Sequence, residues 1–233
     1  MTAALAVLLA AAAAVPPAAP ADAAQTPADG IPGASELAAL AEKPVFGENA
    51  TAREMVEGCR AMVPEDVVVT GHINRRSRHG TEVAAYSYRL KRIKGVTELN
   101  VYDKSSVEVP FKKGGRILDT DVTWSDLTLD YLWWKDVSFD ESRSGASLQG
   151  IMCKVLLLKN GGREVRAWVD RRTGAMLQAE ESTDGKVVRE FFCTSLKKFG
   201  ERWAPKNIEV GPKGARYRTK IVVEDVQVVG DAK

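Results

Sequence analysis

The side chains that could do chemistry are few and scattered. His72 and His79 bracket three arginines, Arg75, Arg76 and Arg78. An imidazole titrates near neutrality and can move a proton, but at a basic bend a solvated histidine is the simpler reading. Asp119 and Asp121 flank Thr120. Paired carboxylates can divide acid and base roles, yet two acids ahead of a helix more simply serve its positive N-terminus. Ser144-Gly145-Ala146-Ser147-Leu148 lacks the glycine that precedes a nucleophile, and there is no G-x-S-x-G elbow, Walker loop, H-E-x-x-H or Rossmann glycine run. Cys59, Cys153 and Cys193 make an odd count, which leaves at least one thiol unpaired. Cys153 and Cys193 fall in apolar strand patterns and could meet across a barrel interior, although buried free thiols are the simpler reading. With no C-x-x-C and no histidine near a cysteine, zinc ligation is not indicated. The pattern points away from an enzyme and calls for no cofactor or metal. The arginine cluster reads as a solvated turn or as a docking patch for an acidic membrane surface or partner.

The distinctive chemistry is apolar. Three of the five tryptophans lie between Trp124 and Trp134. If residues 124–134 form a helix, Trp124, Leu127, Tyr131 and Trp134 share one stripe, and Leu129, Leu132 and Trp133 form a second patch roughly opposite. A surface helix needs one apolar face, and this one has nearly two. Either it is sandwiched inside a core, or its second face meets a transient occupant.

The elements that would position such a stretch are mostly strands. Residues 51–62 carry apolar positions at helical spacing, with Asn49 or Thr51 as cap and Pro64 beyond the end. From Val67 the pattern becomes strand-like: a long hairpin with its basic tip at 74–80, then short strands over 98–102, 107–111 and 116–118. After the tryptophan stretch, six strands over 148–158, 164–170, 176–181, 187–196, 203–210 and 217–229 alternate with Gly-bearing turns, as in an antiparallel meander. Within one of them Val165, Ala167 and Val169 point one way, and Arg166 and Trp168 the other. A sheet of ten to twelve strands, each rotated about −20° on its neighbour, curls on itself. The only covers on offer for its concave side are the helices at 51–62 and 124–134.

Thirty-three basic against 31 acidic residues give a net charge of +2, which argues against a nucleic-acid binder. Residues 3–15 are an unbroken apolar run, too short to span a bilayer but suited to a signal-peptide core. Ala21-Asp22-Ala23 offers a cleavage site. The expected organisation is a signal peptide at 1–24 cleaved near residue 23, a flexible Ala/Pro/Gly-rich leader at 25–49, and one domain over 50–230. No cysteine lies near the end of the apolar run, the first being Cys59 far downstream, so a lipid-anchored form is not indicated, and a periplasmic location is expected.

Four stretches resemble the outer-membrane lipoprotein-sorting family of LolA-like proteins: the helix at 51–62 leading through Pro64 into a hairpin, Thr123-Trp124-Ser125-Asp126-Leu127, Arg166-Ala167-Trp168-Val169-Asp170 followed by Met176-Leu177-Gln178-Ala179-Glu180, and 196–205 with Ile208-Glu209. The resemblance implies a mainly β, α+β fold: an incomplete antiparallel barrel of about 11 strands with helices covering the concave face. It also implies an apolar cavity for lipid or lipoprotein acyl chains, with the cavity and lid residues drawn from Trp124, Leu127, Leu129, Tyr131, Leu132, Trp133 and Trp134. Family carriers hold the lid with an arginine inside the cavity, a place for which Arg89 and Arg92 both qualify. The implied partners are acyl chains and inner- and outer-membrane proteins, with the carrier a monomer. A second reading keeps the fold but makes the chain a non-enzymatic envelope sensor or docking protein, its groove filled by its own side chains. Acyl chains need such a carrier because each CH₂ resists water by about 0.8 kcal/mol, so a sixteen-carbon chain resists it by roughly 12 kcal/mol.

Overall fold

The computed structural model describes residues 46–47, 49–61, 66–76, 81–143, 145–148, 150–199, 202–215 and 218–229, without the side chains of Ala61, Arg76, Arg202 and Trp203. The expected signal peptide, most of the expected leader, Arg78 and His79 lie outside the described residues.

Helix α1 (Ala52–Ala61) starts at a capping box. The Glu54 amide donates to Thr51 Oγ1 at 3.2 Å, and the Thr51 amide donates to Glu54 Oε2 at 2.8 Å, which satisfies two otherwise orphaned donors. Ala52, Met55, Val56 and Cys59 are buried at helical spacing. Among the described residues eleven strands follow: β1 (Val67–Arg76), β2 (Glu82–Ile93), β3 (Val96–Tyr102), β4 (Asp136–Phe139), β5 (Ser147–Leu148), β6 (Ile151–Asn160), β7 (Arg163–Asp170), β8 (Met176–Thr183), β9 (Lys186–Phe199), β10 (Arg202–Pro212) and β11 (Thr219–Val228). They form one antiparallel sheet in the order β3-β2-β1-β11-β10-β9-β8-β7-β6-β4, with β5 on β6. The first strand pairs with the last, Val67 opposite Val228 and Ile73 opposite Ile221. Strands β3 and β4 are the two edges, so the sheet is open rather than a closed barrel. Two-residue turns at Lys94-Gly95 and Asp184-Gly185, all four residues at positive φ, give the tight hairpins their twist.

Two expected strands are corrected. Residues 107–111 and 116–118 contribute only single bridges, Tyr102 to Glu108 and Arg116 to Thr123. The Asp103 carboxylate accepts from the Ser105 and Val107 amides and closes a turn at the end of β3, and Pro110 then brings no N–H to a ladder. Strand β4 and the short β5 were not foreseen in the sequence.

The expected helix over 124–134 is also corrected. Helix α2 (Trp124–Thr128) ends at Leu129, which adopts the left-handed conformation at φ 51°. A 3₁₀ turn (Asp130–Trp133) follows. A continuous helix would have held the two apolar sets on opposite sides. The break at Leu129 turns both sets toward one core, and Leu127, Leu129, Tyr131, Leu132 and Trp134 are all buried.

Candidate ligand-binding site

The segment between β3 and β4 starts at one edge of the sheet and ends at the other. On the way it touches strands in nearly their sheet order. Asp119 accepts from Tyr86 of β2 at 2.9 Å and pairs with Arg75 of β1 at 3.6 Å. Asp121 accepts from the Thr219 hydroxyl of β11 at 3.1 Å. Asp126 pairs with Arg189 of β9. The Tyr131 hydroxyl meets Met176 Sδ of β8 at 3.5 Å, and Arg163 of β7 lies over the Trp134 ring at 5.3 Å. Strand β4 then pairs with β6. The segment therefore lies across the sheet face that carries Ile73, Leu90, Val165 and Ala167. Asp119 and Asp121 anchor the segment on the sheet, and the acid in the first turn of the following helix is Asp126 instead.

Each of the three tryptophans lies against a cation. Lys113 sits over Trp124 at 4.8 Å, and Arg163 over Trp134. Trp133 is held between Arg60 of α1 at 5.5 Å and Arg92 of β2 at 5.1 Å. Such contacts contribute about 0.5–2 kcal/mol each, more where the pair is dry. Of the seven residues expected at the cavity and lid, Trp133 alone is half-buried, and the other six are buried in the core. Of the two arginines open for the inner position, Arg92 is buried against Trp133 and Arg89 is exposed.

The other end of the segment is pinned by ions. Arg189 donates to Asp126, to Glu181 Oε2 at 2.9 Å and to the Asp121 carbonyl at 2.8 Å. Asp126 also accepts from the Thr123 amide at 2.6 Å, capping α2. Burial pulls the Arg189 pKa down, but Asp126 and Glu181 outweigh it and the net direction is up. Burial drives the Tyr131 phenol well above its ordinary range, with Asp126 adding to the effect. Sequence reasoning missed Arg189. The signal was its parity: on β9, Arg189 alternates in step with the buried Phe191 and Cys193.

Among the described residues, two spaces adjoin the segment. One, beside Tyr131, Arg163 and Arg189, is about 20 Å³, room for a water molecule. The other is a cleft of about 310 Å³ between α1, Trp133, Trp134 and the start of β4. That volume lies at the lower end of the range for small-molecule sites. Among the described residues, the side chains of Leu127, Leu129, Tyr131, Leu132 and Trp134 pack into the same core as the sheet's inner face.

The remaining candidates are dispersed. Arg75 is engaged with Asp119, while the Arg76 side chain and Arg78, the rest of the expected docking patch, lie outside the described residues. His72 pairs with Glu224 at 2.9 Å on the surface. All three cysteines are buried free thiols, and burial pushes Cys59 and Cys153 up to about 12. Among the described residues no three His, Cys, Asp or Glu side chains gather as metal ligands, and no helix is long and apolar enough to cross a membrane.

No protein-family model matches the chain, and no curated protein sequence matches it. Solved structures do. A Vibrio parahaemolyticus domain described as an outer membrane lipoprotein-sorting protein superposes with TM-score 0.60 at 11% identity, over 78% of this chain and 94% of that one. A LolA superfamily protein from Nitrosomonas europaea gives TM-score 0.59 at 14% identity, over 77% and 94%. A DUF1329 family protein from Desulfovibrio piger gives 0.55 at 13%, over 78% and 93%. The chain has the fold of the lipoprotein-sorting and LolA superfamily structures.

Proposed function

We propose that the protein is a periplasmic carrier or binder of lipid or lipoprotein acyl chains, exported by cleavage near residue 23, with the 50–230 domain folding as one unit and working as a monomer. The observation that carries this reading is the edge-to-edge segment: an apolar plug laid over an open sheet, broken at Leu129 and held at its ends by arginines. The buried plug is a closed resting state, and an acyl chain takes the place of its side chains. Trp124, Leu127, Leu129, Tyr131, Leu132, Trp133 and Trp134 then form the lid and the wall behind it. The fold shared with lipoprotein-sorting structures supports the same reading.

Magnitudes favour an exchange. Exposing Tyr131, Leu132 and Trp134 costs about 5–9 kcal/mol at about 1.5–3 kcal/mol per large apolar side chain. Burying a sixteen-carbon chain returns roughly 12 kcal/mol. The two are close enough for uptake and release both to be accessible, as a carrier requires. Leu129, already in the left-handed region, is the natural hinge.

Quenching of a fluorescent fatty acid by the full chain tests the reading. Because Trp133 is half-buried at the mouth, Trp133→Glu should weaken uptake about tenfold while lowering the melting temperature by only a few degrees. Equal losses of uptake and folding would make Trp133 a core residue and remove the lid role.

The packed inner face also suits the second reading, an envelope sensor or docking protein whose groove its own side chains fill. Partner capture abolished by charge reversal at Arg75, Arg76 and Arg78, with no acyl uptake, selects it.

A further inference from the structure

The cleft between α1 and β4 is chemically lopsided. Its rim carries Arg53, Arg60 and Lys135 against a single acid, Glu57. Its floor is apolar: Val56, Trp133 and Trp134 line it. A space of about 310 Å³ with a greasy floor and a cationic rim fits a molecule that is apolar at one end and anionic at the other. The position sharpens the point. Arg60 Nε donates to the Leu132 carbonyl at 2.7 Å while its guanidinium lies over Trp133, so this arginine belongs to the cleft and to the plug at once. Burial already lowers the Arg60 pKa, which an anion beside it would offset.

Resting on the carrier reading, we propose that this cleft seats the anionic headgroup of an acyl-chain amphiphile, a phosphate or carboxylate held by Arg53, Arg60 and Lys135. The acyl chain runs from there past Trp133 toward the space the plug vacates. The protein thus selects charged amphiphiles over neutral ones of the same chain length, and the selectivity weakens as salt screens the exposed rim.

Tryptophan fluorescence titrations of the full chain with dodecyl phosphate and with dodecyl maltoside, both below micelle concentration, test this. Dodecyl phosphate should bind at least about tenfold tighter, and Arg53→Glu combined with Lys135→Glu should bring the ratio of the two affinities to about one. Both positions are exposed, so the double variant keeps its fold, and a thermal melt checks it. Equal affinity for the two amphiphiles, or an advantage that survives the double reversal, overturns the headgroup site and leaves the carrier reading standing. Inorganic phosphate binding as tightly as dodecyl phosphate also overturns it, since the cleft would then be a free-anion site. If neither amphiphile binds, the carrier reading falls, and the headgroup site with it.

Discussion

Arg189 ties the crossing segment to the sheet through three partners on different elements. It reaches from β9 to Asp126, Glu181 and the Asp121 carbonyl, and so fixes α2 to the sheet. Removing one member of a buried ion cluster leaves its partners charged and dry. Arg189→Met is expected to cost about 3–5 kcal/mol in chemical denaturation. A loss below about 1 kcal/mol would mean that Asp126 and Glu181 find water instead. Glu190, the next residue of the strand and on the opposite face of the sheet, sets a pH dependence. Burial raises its pKa, but Lys213 at 2.6 Å, the Gly214 amide and Arg218 outweigh that and hold it below the ordinary 4.5. A folded pKa below the unfolded one means the contribution is complete above about 4.5 and is lost as pH falls through the lower folded value. Glu190→Gln should therefore flatten the acid limb of a stability-against-pH curve, and an unchanged limb would rule the residue out as its source.

At the scale of elements, the hairpins were legible because period-two alternation and Asp184-Gly185 or Lys94-Gly95 turns are local signals. The segment over 124–134 was legible as the odd element but not as a broken one. Helical periodicity places Leu129 correctly as apolar, while its left-handed backbone follows from the need to bury both stripes against one sheet. That is a tertiary demand overriding local preference. The strands over 107–111 and 116–118 failed for the converse reason, since their alternation had no neighbouring strand to pair with beyond one residue each. Gly71 is a similar case. It lies at the bulge where β1 shifts register on β11, and a Cβ there would sit 2.0 Å from the Val222 carbonyl oxygen and 2.9 Å from the Tyr88 ring. Gly71→Ala should cost about 3 kcal/mol by chemical denaturation, because the obstacle is backbone. A neutral result would show that the bulge relaxes freely.

For the whole molecule, the pairing of β1 with β11 organises everything else, and nothing in the sequence announces it. It joins the N-terminal meander to the C-terminal one, leaves β3 and β4 as distant edges, and obliges the chain between them to cross the sheet. Arg60, Arg92, Arg163 and Arg189 meet the crossing from four different elements, which is why no sequence window could group them. The proposed carrier function requires this plug to lift from the open sheet and an acyl chain to take its place. Native mass spectrometry of the protein recovered, after cleavage near residue 23, from a bacterial periplasm is the direct test. A bound acyl-bearing molecule is expected, in an amount that Trp133→Glu lowers while the fold persists. A ligand-free protein that also fails to quench a fluorescent fatty acid would contradict it.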